Sequence, residues 1–442
     1  MSKIPFTNRK EDFYAVISDY LLIELPKTFQ RDLVIPTDTT FIVSIAGPRR
    51  AGKTFIMYNT ISQLEKNISK NNTIYVNFEH EKLRNLDASD LSDLVISFYE
   101  LAKLQAEKDV YLFLDEIQVV NGWSTWVNRI YESKRFHIFL SGSSSKLLER
   151  ELSTELRGRS INFIALPLSF KEFTRVKGAN NVSDLDVMLH NEERGKLLSM
   201  LNEYIEFGGF PEVVLNKDYK MNVLKSYVDT IILDVGERFR TEPYMLRIFF
   251  EHSVESYSKY FSGSKTYNFF KSINYPLSHD TPLKLLNHFE EVFALFHVEK
   301  FSRSFRSRKS YPKKLYVVDT GLINAVTRSK DYRRLMENIV FVELFRRSDN
   351  FSKFSINYWK EYGKAEGMEV DFVLTKAGKV IELFNVSYAM GIDDLPPREI
   401  KSLRKASKEL GCDKLKITTW DLYGSTEEGD IQFIPLWYWL LC

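Results

Sequence analysis

The stretch Phe41-Ile42-Val43-Ser44-Ile45-Ala46-Gly47-Pro48-Arg49-Arg50-Ala51-Gly52-Lys53-Thr54 decides how this chain is read. Its first half is a short apolar run of β type. Its second half has Gly47, then four residues, then Gly52-Lys53-Thr54, the full spacing of a phosphate-binding loop. Glycines there let backbone N–H groups wrap phosphates at the start of the following helix. A lysine at the Lys53 position reaches the β- and γ-phosphates, and a hydroxyl at the Thr54 position ligates Mg²⁺. A helix-like stretch from Phe55 to Leu64 follows, so the context is strand, loop, helix. The expectation is an ATP/ADP site built from Gly47, Pro48, Arg49, Arg50, Ala51, Gly52, Lys53, Thr54 and Phe55.

Working outward, Leu112-Phe113-Leu114-Asp115-Glu116 is an apolar strand that ends in two acids. Asp115 is expected to hold Mg²⁺ together with Thr54. Glu116 is expected to orient and polarise the attacking water as a general base. The next strand runs into Leu140-Ser141-Gly142-Ser143, where Ser141 or Ser143 is placed to contact the γ-phosphate or the water. Beyond it, Arg157 and Arg159 are candidates for stabilising charge on the γ-phosphate, in cis or from a neighbouring copy, with a structural salt bridge as the other role.

The surrounding chain has the alternation such a loop requires. Short, nearly continuous apolar runs occur at residues 41–45, 73–78, 110–114, 136–140 and 161–164, with helical stretches between them. That pattern predicts an α/β parallel sheet with crossover helices. Residues 11–33 read as an amphipathic helix ahead of the sheet. After Pro167 the chain turns mostly helical to about residue 245, broken at Gly208-Gly209-Phe210-Pro211. Residues 246–335 read as helices followed by a basic β-ribbon, the layout of a winged helix, with Thr281-Pro282 opening a helix that runs to about Val298. From about residue 336 a last α/β unit begins, with strands near 355–360, 369–374, 379–386 and 415–420 and a helix near 397–410.

Bulk properties bound the possibilities. The chain has 442 residues, 44% of them hydrophobic and 27% charged, with a net charge of +2. Such a length fits several domains, and so small a net charge confines any nucleic-acid surface to a local patch. Cys412 and Cys442 make neither a disulfide framework nor a zinc spacing. The N-terminus lacks the apolar core of a signal peptide, and no run reaches a membrane-spanning length. A cytoplasmic protein is expected.

The motifs at 48–54, 114–118, 141–144 and 157–159, with Pro167-Leu168-Ser169-Phe170, resemble those of archaeal and bacterial AAA+-like, STAND-related predicted ATPases that carry a C-terminal domain of unknown function. The likeness continues in Phe207-Gly208-Gly209-Phe210-Pro211-Glu212, in Val317-Val318-Asp319-Thr320-Gly321-Leu322 and in Glu337-Asn338-Ile339-Val340-Phe341-Val342-Glu343. It implies a P-loop core over residues 1–166, a helical lid over 167–245, a winged helix over 246–335 and a restriction-endonuclease-like α/β domain over 336–442.

A nuclease of that last fold needs carboxylates for Mg²⁺ and a lysine beside the attacking water. The counterparts are Glu343 on a helix and Asp371 on one strand. Asn385 and Ser387 stand where the second strand should offer Glu and Lys. A shifted register would use Glu382, but Phe384 then replaces the lysine. The expected domain is therefore inactive, serving binding or structure. On the ribbon, Arg303, Arg306, Arg308, Lys309, Lys313 and Lys314 are candidate contacts to the phosphates of double-stranded DNA, with the helix before them offering Lys284, Asn287 and His288. A protein partner or self-association through the same wing is the alternative.

Overall fold

The computed structural model describes residues 9–102, 109–143, 158–179, 191–275, 277–304, 306, 308, 311–327, 331–361 and 367–442. The chain forms two compact units, Met1–Ala165 and Leu166–Cys442.

The first unit is a five-stranded parallel sheet. Its strands are β1 (Ile42–Ala46), β2 (Thr73–Asn77), β3 (Val110–Asp115), β4 (Phe136–Gly142) and β5 (Ser160–Ile164), in the order β2-β3-β4-β1-β5. All five expected strands are present within two residues of their expected ends, because runs buried on both faces carry an unambiguous apolar signal. The helices are α1 (Lys10–Leu22), α2 (Lys53–Leu64), α3 (Leu91–Ala102) and α4 (Trp123–Glu132). The first helix stops at Leu22 rather than near residue 33, and an irregular segment containing Pro26 and Pro36 follows it. One face of the sheet buries Val43, Ile45, Phe113 and Phe139 against Ile56, Met57 and Ile61 of α2. Phe113 and Phe139 stack at 4.4 Å between ring centroids.

Strand order sets the site. β4 lies between β1 and β3, and its register pairs Ile45 with Ser141 and Leu114 with Leu140. The tips of β1, β3 and β4 therefore end level with one another. A phosphate-binding loop belongs in such a crevice, at the carboxyl ends of parallel strands.

The second unit begins with α5 (Phe170–Val176), α6 (Asn191–Phe207), α7 (Pro211–Leu215) and α8 (Lys220–Phe239). Next come α9 (Pro243–Glu255), β6 (Lys259–Phe261), α10 (Gly263–Ser272), α11 (Thr281–Glu291), β7 (Leu295–Val298) and β8 (Lys313–Val317). The three strands form one antiparallel sheet in the order β6-β8-β7. The expected helix to Val298 ends at Glu291, and Leu295–Val298 is a strand instead. Phe293, with φ of 59°, breaks the helix, so the ribbon starts earlier than the sequence suggested.

After α12 (Thr320–Val326) and α13 (Tyr332–Ser348) comes a six-stranded sheet, β13-β14-β12-β11-β10-β9. It contains β9 (Ser355–Lys360), β10 (Glu369–Lys376), β11 (Lys379–Val386), β12 (Leu415–Thr419), β13 (Gly424–Ser425) and β14 (Ile431–Pro435), with α14 (Pro397–Leu410) and α15 (Leu436–Leu441). Its core gathers Val370, Val373, Leu383, Leu403, Ile417 and Phe433. β13, β14 and α15 went unread in the sequence.

The motifs scattered along this unit converge. Asp319 accepts hydrogen bonds from Gly209 N at 2.7 Å and Gly321 N at 2.8 Å. Asn338 closes a double hydrogen bond with the backbone of Val317, at 2.9 and 2.8 Å. Arg346 Nη2 donates to the Pro167 carbonyl at 2.8 Å. Each contact gives a backbone group a side-chain partner.

Candidate functional site

The loop after β1 is tight because neighbouring backbone crowds it. Gly47 has φ of +152°, and a Cβ there would lie 2.1 Å from the Ala165 carbonyl oxygen. Gly52 has φ of 90° and leads into α2, whose first turn carries no acidic residue, leaving its N–H groups and positive dipole end to an anion.

Lys53 is buried, and its Nζ donates to the carbonyls of Gly47 and Pro48, both at 3.2 Å. It also pairs with Glu116 Oε1 at 3.3 Å. Thr54 Oγ1 donates to Asp115 Oδ2 at 2.6 Å. Tyr75 OH donates to the same oxygen at 2.8 Å, and Ser141 Oγ donates to Asp115 Oδ1. Ser141 Oγ also accepts from Glu116 N at 3.1 Å. Three hydroxyls thus hold a fully buried carboxylate in one rotamer.

Glu116 sits at φ 53°, the left-handed region, which aims its side chain across the loop. Burial pushes its carboxyl up, but Lys53, the Gln118 side chain and Arg49 together hold it below the usual range. It is therefore ionised at neutral pH. The donor set suits Mg²⁺: one hydroxyl and one carboxylate, hard oxygen ligands, aim at one spot beside the loop lysine.

The structure thus brings Lys53, Thr54, Asp115, Glu116 and Ser141 together. Ser143 lies one residue past β4 and is buried. Arg49 pairs with Glu79 at 3.2 Å at the edge of the site. Arg159 is a correction: its carbonyl accepts from Ile42 N at 2.9 Å, at the end of β1 opposite Gly47. Its guanidinium donates to Asn128 at 3.2 Å and Glu132 at 3.1 Å on α4, so within one chain it is a structural pair. Arg157 lies outside the described residues. Tyr75 was missed by the sequence reading. Its signal was a hydroxyl at the centre of a buried strand, in register with Phe113 two residues before Asp115.

In the second unit, β10 and β11 pair Phe372 with Phe384, which sets Asp371 opposite Asn385 as expected. Asn385 Oδ1 accepts from Asp371 N at 3.1 Å, and its Nδ2 donates to Glu399 Oε2 at 2.7 Å. Ser387 is buried just past β11, with its N–H donating to the Thr418 carbonyl at 2.9 Å. Glu343 is a correction. It pairs with Arg346 at 3.2 Å and Arg347 at 2.8 Å. The helical acid beside Asp371 is Glu337 instead, one and two-thirds turns earlier and so on another face of α13.

Lys314 is the larger correction. It is buried, at 2% exposure, rather than offered to a phosphate. Its Nζ lies 2.7 Å from Glu369, 2.9 Å from Asp371 and 3.0 Å from Glu337. Of the other ribbon cations, Arg303 and Arg306 are exposed. Arg308 donates to the Ser302 carbonyl at 3.1 Å and Lys313 meets His297 at 2.8 Å. Lys309 lies outside the described residues. On α11, Lys284 and Asn287 are exposed, while His288 stacks on Phe239 at 3.9 Å.

Among the described residues no helix is long and apolar enough to cross a membrane. Residues 39–174 match a family described as an AAA domain, and residues 198–333 match a domain of unknown function, DUF8612. An uncharacterised protein of Methanocaldococcus jannaschii, MJ1544, is 35% identical over 98% of this chain and 96% of its own length. An uncharacterised Haemophilus influenzae protein is 28% identical over 94% and 98% of the two chains. Among solved structures, Aeropyrum pernix ORC1 in complex with DNA overlaps 72% of this chain and 91% of its own at 14% identity, with a TM-score of 0.29. AMPPCP-bound DnaA from Aquifex aeolicus overlaps 57% and 82% at 16% identity, with a TM-score of 0.24. Both superpositions are loose. With a phosphate-binding loop, a paired Asp115-Glu116 and near full-length likeness to MJ1544, the chain belongs to the same AAA-domain family as that protein.

Proposed function

We propose that this protein binds and hydrolyses ATP with Mg²⁺, and couples its nucleotide state to DNA binding through a winged helix. The observation that carries the first half is the convergence of Thr54, Asp115, Ser141, Glu116 and Lys53 at three level strand tips. Bound Mg²⁺ would supply charge neutralisation on the phosphates, and Thr54 and Asp115 would hold it. Arriving phosphates draw Lys53 out of its pair with Glu116. The freed carboxylate, ionised at neutral pH, then accepts the proton of the water that attacks the γ-phosphorus as ADP departs.

Lys53→Ala is expected to weaken nucleotide binding at least tenfold. Glu116→Gln should hold ATP near wild-type affinity while turnover falls by roughly 100-fold or more. Filter binding and phosphate release measure the two, and normal turnover in both variants refutes the site.

The order helix, strand, helix, helix, strand, strand over α9 to β8 supports the winged-helix reading. Arg303, Arg306, Lys284 and Asn287 are the exposed contacts. Fluorescence anisotropy with a DNA duplex should give an affinity that falls steeply with salt. Arg303→Gln with Arg306→Gln should reduce the log–log slope by about two. A second reading, a nucleotide-gated switch that docks a protein, is favoured by the loss of Lys314 to the interior. Absence of DNA binding at low salt selects it.

A further inference from the structure

The chain leaves β3 through one tight turn. Glu116 stands in the left-handed region, and Ile117–Val119 follow as a single helical turn. Val119 N donates to the Glu116 carbonyl at 3.3 Å, and Val120 N donates to the Ile117 carbonyl at 3.0 Å. Ile117 and Val120 are both buried, so the turn is anchored on either side of Gln118.

Gln118 turns its side chain back to the acid that ends the strand. Its Nε2 donates to Glu116 Oε2 at 2.5 Å. That bond fixes which end of the amide is nitrogen, because an ionised carboxylate can only accept. The other end of the amide, Oε1, is shielded from solvent and has no hydrogen-bond partner among the described residues. A buried acceptor without a partner is costly, so its presence beside the candidate general base calls for a reason.

The distances supply one. The oxygen and nitrogen of an amide are about 2.2 Å apart, which places Gln118 Oε1 within about 4.7 Å of Glu116 Oε2. A water donating to two acceptors at about 2.8 Å spans roughly 4.5 Å between them. The two oxygens are therefore spaced to share one water.

We propose that Gln118 is a catalytic residue, its Oε1 accepting one hydrogen of the attacking water while Glu116 accepts the other. The role rests on the ATPase reading above and adds a second acceptor to it. In the resting chain Lys53 pairs with Glu116 Oε1. Once Lys53 turns to the phosphates, water enters beside the carboxylate and Gln118 Oε1 gains its partner. A water held by one hydrogen bond rotates about it. Held by both hydrogens, it keeps a lone pair aimed at the γ-phosphorus. The water oxygen bonds to that phosphorus, the bond to the β–γ bridging oxygen breaks, and ADP leaves with its electron pair. One proton passes to Glu116. The other hydrogen stays on the new phosphate, still donating to Gln118 Oε1.

The test compares two complexes of the full-length protein with Mg²⁺ and ADP. Beryllium fluoride copies the γ-phosphate of bound ATP. Aluminium fluoride copies the transition state, with the attacking water at its apex. Gln118→Met keeps the side-chain length and removes the amide. It should bind the beryllium complex within about twofold of wild type, bind the aluminium complex roughly tenfold more weakly or worse, and slow single-turnover hydrolysis by about ten- to hundredfold. Gln118→Leu should behave alike. Equal weakening of both complexes would make Gln118 a structural part of the turn, and unchanged affinity for the aluminium complex would separate it from the water. Either result overturns the proposal. So does a wild-type structure with ADP and aluminium fluoride in which Gln118 Oε1 lies more than about 3.5 Å from the apical water, and that needs no variant. Glu116→Gln run in parallel keeps the two readings apart. Hydrolysis lost in Glu116→Gln but normal in Gln118→Met removes the role of Gln118 alone. A wild type that hydrolyses no ATP removes the ATPase reading and the role of Gln118 with it.

Discussion

Asp115 shows how much one carboxylate depends on its neighbours. Its two oxygens take hydroxyl donors from Thr54, Tyr75 and Ser141. A hydrogen bond to a charged group contributes about 1.5–3 kcal/mol, enough for a ten- to hundredfold change in rate. Tyr75→Phe and Ser141→Ala are each expected to lower turnover roughly tenfold or more while nucleotide affinity changes little. Steady-state phosphate release beside equilibrium binding separates the two effects, and unchanged turnover would remove both residues from the site. Tyr75 itself remains neutral, since burial and the neighbouring Asp115 carboxylate both push its hydroxyl far up.

At the scale of elements, the Gly208-Gly209 break between α6 and α7 is a packing requirement. A Cβ on Gly209 would lie 2.2 Å from the Leu168 carbonyl oxygen, and the Gly209 N–H is committed to Asp319. Gly209→Ala is expected to destabilise the second unit by about 2 kcal/mol or more, since backbone on both sides cannot yield. Gly195, inside α6, provides the contrast. Nothing lies within 4 Å of a Cβ there, so Gly195→Ala should stabilise by about 0.5–1 kcal/mol through helix propensity. Urea unfolding of the two variants reads both signs, and two changes of the same sign would refute the packing account. The element readings themselves divide by pattern. The strands of the first unit were plain because each is an uninterrupted apolar run. β7 was read as helix because Leu295-Phe296-His297-Val298 continues the apolar stripe of α11, and only the left-handed turn at Phe293 separates the two.

For the molecule as a whole, buried acids give the second unit a distinctive pH response. Burial pushes Asp319 up to about 6 from 3.8, against three backbone N–H donors and Arg346 that pull the other way. Between those values the folded state binds more protons than the unfolded chain. The stabilisation is complete below about pH 4 and is lost as pH rises through 6, and two pKa units correspond to about 3 kcal/mol. In Asp319→Asn this stretch of the profile should flatten, while stability at pH 7 falls because one backbone donor loses its acceptor. Thermal melts from pH 4.5 to 7.5 test it, and a wild-type slope of opposite sign would show other carboxylates in control.

The sequence by itself determined the nucleotide loop and the five parallel strands. Both are local matters, fixed by glycine spacing and by apolar runs, whereas the register that sets Asp371 opposite Asn385 was left between two alternatives until the strands were seen paired. Tertiary structure decided what distant residues do. It turned Arg159 to the far end of the sheet, exchanged Glu343 for Glu337 and moved Lys314 from a basic ribbon into a cage of carboxylates. No local pattern marks a lysine for burial, because its ion partners lie 23 and more residues further along the chain. Only the packing of one sheet against another brings those charges together and makes the burial tolerable.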